Sequence, residues 1–257
     1  MHHAHIDKFS FGDSPIHRLD SRVKVLVTVV FTVLVISLAR TSPAIVACYA
    51  VGPFTILVLA RIPLRFVFKH ILLVSPFVLV LALTCPLYDK TPAAVAFGPF
   101  STEMSLGWLR CFTILAKFGV TMAALISLVS TTKFADLLAA LQKMYVPKLL
   151  IIQLGFLYRY IFILIDRIHR MLRARAGRKL RNLGFKAELA VASAMIGSLL
   201  SRSIDNACNV NIAMQARGFD GKWRTISRLK MRRRDLFFAV ASLCFLAAMQ
   251  FIALRLR

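Results

Sequence analysis

Two arginines set among small residues are the side chains best placed to do chemistry. Arg175 stands in Arg173-Ala174-Arg175-Ala176-Gly177-Arg178, and Arg217 in Met214-Gln215-Ala216-Arg217-Gly218-Phe219. A guanidinium keeps its charge when partly desolvated, and its planar fork pairs with a carboxylate or stacks on an aromatic ring. The flanking Ala174, Ala176, Ala216 and Gly218 add no bulk, so such a tip fits a partner's cleft. The chemistry is recognition, not bond-making: the sequence has no Gly-Lys-Ser/Thr phosphate loop, no His-Glu-x-x-His and no Gly-x-Ser-x-Gly. His2, His3 and His5 form the sharpest metal-like cluster, since a free amine with a nearby histidine chelates nickel or copper. Their place in a polar N-terminal segment favours a cytoplasmic tail over a metal site, so neither metal nor cofactor is expected.

The elements that would carry the arginines are helical. Read as a helix from Pro147, the chain keeps Leu157, Ile161, Leu164, Ile168 and Met171 on one apolar line, with Arg175 one heptad beyond Ile168. A second helix from Glu188 leads through Val210 and Met214 to Arg217, again one heptad from Val210. Along it Ser193, Gly197 and Ser201 recur every fourth residue, with Ala190, Ala194 and Ser198 beside them. That spacing lets two helix backbones cross closely. Two crossing helices, each ending in an exposed arginine, make a two-pronged connector. On spacing alone a second reading stays open, in which both arginines belong to a solvated basic face on lipid headgroups.

The rest of the chain reads as membrane. Its 257 residues are 58% hydrophobic, with mean hydropathy +0.71, too apolar for an ordinary soluble domain. The expected fold is all-α and polytopic, with about five transmembrane helices at residues 23–38, 44–60, 66–83, 108–129 and 236–254. Gly52-Pro53 predicts a kink in the second, not a break. Asp20 or Ser21 would cap the first, with Arg22 and Lys24 at the membrane face. Lys117, inside the fourth, is expected to snorkel or find a local partner. Cys48, Cys85, Cys111, Cys208 and Cys244 lack metal-ligand spacing and read as buried free thiols. The N-terminus does not read as a cleaved signal peptide.

The net charge of +23 lies between the apolar runs. The positive-inside rule puts the N-terminus and the basic stretch 133–234 in the cytoplasm and the loop at 88–107 outside. Residues 149–165 are apolar but short for a span and interrupted by Gln153 and Arg159. Crossing there would export Arg167, Arg170, Arg173, Arg175 and Arg178, so a helix at the cytoplasmic face is expected. Three regions follow: 1–132 with four spans, 133–234 as a cytoplasmic coupling domain of long crossing amphipathic helices, and 235–257 as a last span.

Ser14-Pro15-Ile16-His17-Arg18-Leu19-Asp20, Ala174-Arg175-Ala176 and Ala216-Arg217-Gly218 together carry a family resemblance. The chain resembles the transmembrane T component of energy-coupling factor transporters, most closely the CbiQ type of cobalt and nickel uptake systems. The second arginine motif matches the family's Ala-Arg-Gly pattern, and the first has Ala176 where Gly is often found. The resemblance implies a bacterial inner-membrane scaffold joining two ABC ATPase subunits, CbiO-like, to a substrate-binding membrane subunit, CbiM-like. It implies that Arg175 enters a groove of one ATPase and Arg217 a groove of the other, so that ATP hydrolysis belongs to the partners. Membrane lipid would be the remaining partner. An enzyme acting on lipid or isoprenoid phosphates is the competing class, but its usual paired acidic motif for magnesium is missing. Nucleic acid is not an expected partner, for the basic run lies beside spanning helices without a recognised binding motif.

Overall fold

Helix formation starts at Asp20, whose carboxylate accepts the Arg22 N–H at 2.9 Å. Of the two capping candidates it is therefore Asp20 that is the N-cap, and α1 runs Ser21–Ser37. The computed structural model describes residues 10, 12, 14–38, 43–88, 92–97, 100–178, 184–221 and 233–255; His2, His3 and His5 lie outside them. Next come α2 (Pro43–Tyr49) and α3 (Val51–Leu59), joined through Ala50, which keeps helical dihedrals of φ −62° and ψ −24°. The helical path is thus interrupted without leaving helical dihedrals. Pro53 has no N–H to give the Tyr49 carbonyl, and the hydrogen-bond ladder resumes with the Phe54 N–H on Ala50 O at 3.1 Å. Gly52 is needed for close approach: a Cβ there would stand 3.3 Å from the Phe245 ring and 3.6 Å from Phe31.

The α4 helix (Leu64–Tyr88) continues through Pro76 and Pro86, past the expected stop near residue 83. The polar loop beyond it contains an antiparallel hairpin, β1 (Pro92–Phe97) and β2 (Phe100–Ser105), with Pro92 opposite Ser105 and Phe97 opposite Phe100. Among the described residues everything else that is regular is helical: α5 (Leu106–Thr131), α6 (Phe134–Lys143), α7 (Lys148–Arg178), α8 (Phe185–Ala216) and α9 (Arg233–Arg255). The fold is all-α apart from that hairpin.

Packing divides the chain into two compact units, one of residues Met1–Met144 with Ser227–Arg257, the other Tyr145–Ile226. This division differs from the one drawn by charge, because α6 packs on α1 and so belongs to the first unit. Within that unit α5 is central and touches α1, α2, α3 and α4, while α9 lies against α1 and α2. Phe31, Val35, Val46, Tyr49, Val120 and Leu246 form one buried cluster, and Ile16, Leu57, Ile62 and Val67 a second. Outward-facing side chains such as Leu73, Phe77 and Phe237 are large and apolar, the surface that lipid covers. The thiols are less hidden than expected: Cys111 is buried, but Cys48, Cys208 and Cys244 are exposed on helix faces.

Among the described residues, five helices are long and apolar enough to cross a membrane, namely α4, α5, α7, α8 and α9. The number agrees with the sequence reading but the membership does not. The 17 residues of α1 rise only about 26 Å, short of the roughly 30 Å hydrocarbon core, and Ile45–Leu59 is a shorter apolar helix. By length and composition α7 and α8 qualify instead, although α8 has the lowest mean hydropathy of the five, 1.2.

Polar contacts decide how α1 sits. Lys24, expected at the membrane face, is turned inward and 5% exposed. Its ammonium donates to Thr131 O, at the end of α5, at 2.9 Å and to His17 O at 3.4 Å. The Asp20 N–H donates to Asp235 Oδ1 at 2.9 Å, fastening the α9 start to the N-terminal lead-in. Ser14 Oγ and His17 Nδ1, 2.7 Å apart, close the turn before it. At the other end of α1, Lys117 donates to Ile36 O at 3.1 Å and Leu38 O at 2.8 Å, the local partners its position called for. Asp235→Ala leaves the buried Asp20 N–H without its acceptor and is expected to cost about 1–3 kcal/mol. Asp235→Asn, which keeps a carbonyl oxygen there, should cost less; thermal unfolding in detergent checks the order.

Candidate interaction site

Both arginines lie in the second unit, on α7 and α8. These helices run antiparallel: Arg175 and Met171 line one apolar cleft with Ala192 and Met195, while Phe156 and Tyr160 line another with Val210 and Met214. The first cleft holds about 210 Å³ and the second about 490 Å³. Between them the Arg167 guanidinium reaches Arg202 O at 3.4 Å. The pair therefore meets near its middle and opens toward both ends.

Arg175 sits within the last turns of α7 and closes the smaller cleft, on the line of Ile168 and Met171 where the periodicity placed it. The earlier part of that line does not hold, since Leu157 is 63% exposed and α7 instead lays Phe156 and Tyr160 against α8. The helix drifts off a strict heptad at 3.6 residues per turn. Arg175 Nη2 is 3.7 Å from Glu188 Oε1 near the start of α8, with both side chains partly in solvent. Pairs of that kind are worth at most about 1 kcal/mol, so this contact holds the guanidinium only weakly. Ala174, Ala176 and Gly177 are exposed around it.

Arg217 is the C-cap of α8. Gly218 follows at φ +69°, its N–H donates to Gln215 O at 3.0 Å, and the Phe219 N–H donates to Met214 O at 3.1 Å. This is a Schellman stop, whose hydrophobic partners Met214 and Phe219 line the same cleft. Gly218 is thus explained by geometry: a left-handed residue ends the helix just past the arginine and fixes where it points. Ala216 is the last helical residue. Ala176, by contrast, lies inside α7, which continues to Arg178, so that position does not call for glycine.

Arg175 shares a cleft with Ala192, and about 25 residues of α8 separate Ala192 from Arg217, which at 1.5 Å each is roughly 38 Å. The two charges therefore stand at opposite ends of the helix pair. Ser193, Gly197 and Ser201 do not lie between α7 and α8. All three are exposed, a Cβ on Gly197 would meet nothing within 4 Å, and Ser193 Oγ donates back to Ala190 O. The row that faces α7 is Ala192, Met195, Leu199, Ser203 and Val210, a mixture of small and large side chains that line the two clefts.

A family model described as cobalt transport protein, CbiQ, matches residues 12–227. The chain belongs to the CbiQ family. This member is 28% identical over 229 residues to the energy-coupling factor transporter transmembrane protein EcfT of Bacillus selenitireducens, covering 84% of each chain. It is 28% identical over 207 residues to the cobalt transport protein CbiQ of Rhodobacter capsulatus, covering 79% of this chain and 80% of the other. An uncharacterized protein of Methanocaldococcus jannaschii is 24% identical over 251 residues, 92% of this chain and 82% of that one. The resemblance read from the three motifs is therefore met at family level, and this CbiQ-family chain is a multi-pass membrane protein of a transporter family.

Two contributors to the site were not singled out from the sequence: Glu188 as the partner of Arg175, and Phe219 as the hydrophobic half of the α8 stop. A glycine four residues past an apolar Met, followed by Phe, is the readable signal for the second. Gly218→Ala forces a Cβ into the left-handed region and should cost about 1–2 kcal/mol, with faster amide exchange at residues 218 and 219. Gly197→Ala, in open space mid-helix, should stabilise by about 0.5–1 kcal/mol. Unfolding midpoints of the two variants are thus expected to move in opposite directions.

Proposed function

We propose that this chain is the membrane scaffold of an energy-coupling factor importer, joining two ABC ATPase subunits to a membrane subunit that binds the substrate. Arg175 is received by one ATPase and Arg217 by the other, each guanidinium paired with carboxylates in a groove. The observation that carries this reading is the placement of two small-flanked arginines at opposite ends of one helix pair, in a chain of the CbiQ family. A helix pair tipped at both ends can transmit the relative motion of two bodies, provided their spacing differs between nucleotide states. The cargo is a cobalt or nickel ion, by likeness to the relative named for cobalt transport. The chain itself is not an enzyme: ATP is hydrolysed by its partners.

The lipid-phosphate enzyme is not favoured. It would need paired acidic residues open to a metal-bound phosphate, whereas Asp20 and Asp235 are buried and hold backbone N–H groups.

The scaffold sits in a bacterial inner membrane with its N-terminus and the 133–234 stretch in the cytoplasm. Five arginines between 167 and 178 support a cytoplasmic α7, despite its length. In a background with the native cysteines replaced, Tyr145→Cys and Arg170→Cys should react with an impermeant thiol reagent from the same side of sealed vesicles. Reaction from opposite sides would make α7 a span and overturn this topology.

Arg175→Ala combined with Arg217→Ala should leave membrane insertion intact, reduce co-purification of the ATPases at least about tenfold, and abolish uptake driven by ATP. That loss corresponds to about 1.4 kcal/mol, modest for two charge-assisted contacts. Either single replacement should be milder. Unchanged uptake in the double variant would refute the assignment of these arginines.

A further inference from the structure

A cavity of about 280 Å³ in the first unit lies where the N-terminal lead-in, the end of α3 and the start of α9 meet. Arg18 and Arg234 line it, and the rest of the wall is mostly apolar, including Ile16, Leu19, Leu59 and Phe238. Its height in the membrane follows from the helices around it: α1 begins at Ser21, α3 ends at Leu59 and α9 begins at Arg233. Helix ends that gather at one level mark the boundary between hydrocarbon and water, where phospholipid phosphates lie. Both arginines are exposed, and Leu59 is 57% exposed toward the surface that lipid covers.

We propose that this cavity holds one anionic phospholipid, its phosphate between Arg18 and Arg234 and an acyl chain along Leu59 and Phe238. Two guanidiniums supply the bidentate donors a phosphodiester accepts, and basic pockets between membrane helices bind acidic headgroups for this reason. The carboxylate in the wall, Asp235, does not oppose the anion directly. It is 3% exposed, its Oδ1 is held by the Asp20 N–H, and Lys24 shares its electrostatic environment. Thr55, the other polar side chain of the wall away from the lead-in, donates its hydroxyl to Gly52 O on its own helix. The apolar wall separates a lipid from a free phosphate, for which it would be a poor container. The inference requires membrane residence alone, so it stands or falls separately from the coupling role.

Native mass spectrometry of the purified chain, with phosphatidylglycerol, phosphatidylcholine or inorganic phosphate added in turn, tests it. One phosphatidylglycerol should be retained per chain, with a preference of roughly tenfold or more over phosphatidylcholine, and millimolar inorganic phosphate should not displace it. R18Q/R234Q should lose that preference, R18K/R234K should recover much of it, and R65Q, an exposed arginine outside the cavity, should keep it whole. A Phe238→Trp variant retains both arginines. Its added fluorescence should be quenched by brominated-chain phosphatidylglycerol at a several-fold lower mole fraction than by brominated phosphatidylcholine. Equal retention or equal quenching by the two lipids overturns the proposal, and displacement by inorganic phosphate makes the cavity a free-anion site. An R65Q loss as large as that of R18Q/R234Q reduces it to a diffuse basic surface.

Discussion

Each of α1 and α5 ends on a lysine of the other. Lys24, in the first turn of α1, donates to Thr131 O at the end of α5, and Lys117, in the middle of α5, donates to the Ile36 and Leu38 carbonyls at the end of α1. The last carbonyls of a helix have no partner within it, and a cation there also meets the negative end of the helix dipole. In an apolar solvent such carbonyls are costly to leave unpaired. The two lysines therefore fix α1 and α5 as an antiparallel pair and set their relative height. Because α5 also carries α2, α3 and α4, that height propagates through the first unit.

Why polar contacts should have this part follows from the solvent. Lipid tails are as apolar as leucine, so burying Val35 or Leu246 against a neighbouring helix gains packing but little hydrophobic free energy. Selection among alternative helix arrangements then falls to close approach and to hydrogen bonds. Gly52 supplies the first, letting the Phe31 and Phe245 rings reach the backbone of α3. Asp235 supplies the second, fastening the beginning of α9 to the N-cap of α1 across 215 positions of sequence. The Ser-Pro-Ile-His-Arg-Leu-Asp lead-in is in this light a structural joint: its Ser14–His17 turn presents the His17 carbonyl to Lys24 and the Asp20 amide to Asp235.

Much of this was readable in the residues. Asp20 as a cap and the missing hydrogen bond at Pro53 follow from short-range chemistry, and the need of Lys117 for a polar partner follows from its apolar surroundings, although which carbonyls answer it does not. What could not be read were facts that depend on a distant chain segment. Lys24 looks like a membrane-face lysine until the end of α5 is placed beside it. Ser193, Gly197 and Ser201 have the spacing of a close crossing, but spacing does not say which neighbour they face, and within this chain α7 meets the bulkier row instead. Leu157 failed for a related reason, since a heptad line drawn on an uncoiled helix wanders off its face within a few turns. The first apolar run was read to its actual end, since α1 closes at Ser37 with Leu38 as its C-cap, but at 17 residues it is shorter than α7 and α8, which length alone would make spans.

The two arginines at the proposed coupling ends are held by unlike means. Arg217 is fixed by backbone: Gly218 in the left-handed region and the Met214–Phe219 closure determine where α8 stops, so the guanidinium leaves the helix at a defined point. Arg175 projects from continuous helix and is held by a side-chain contact to Glu188, partly in solvent and readily given up. A substitution that lengthens α8 would therefore displace Arg217, whereas the Arg175 end would be altered chiefly by charge. The two motifs of this chain fit this asymmetry. Glycine after the arginine is required where the helix must end, and alanine suffices at 176 where it continues. Under the proposed coupling role, the tip on α8 would owe its rigidity to backbone and the tip on α7 to helix continuity, and the small neighbours would leave room for a partner at both.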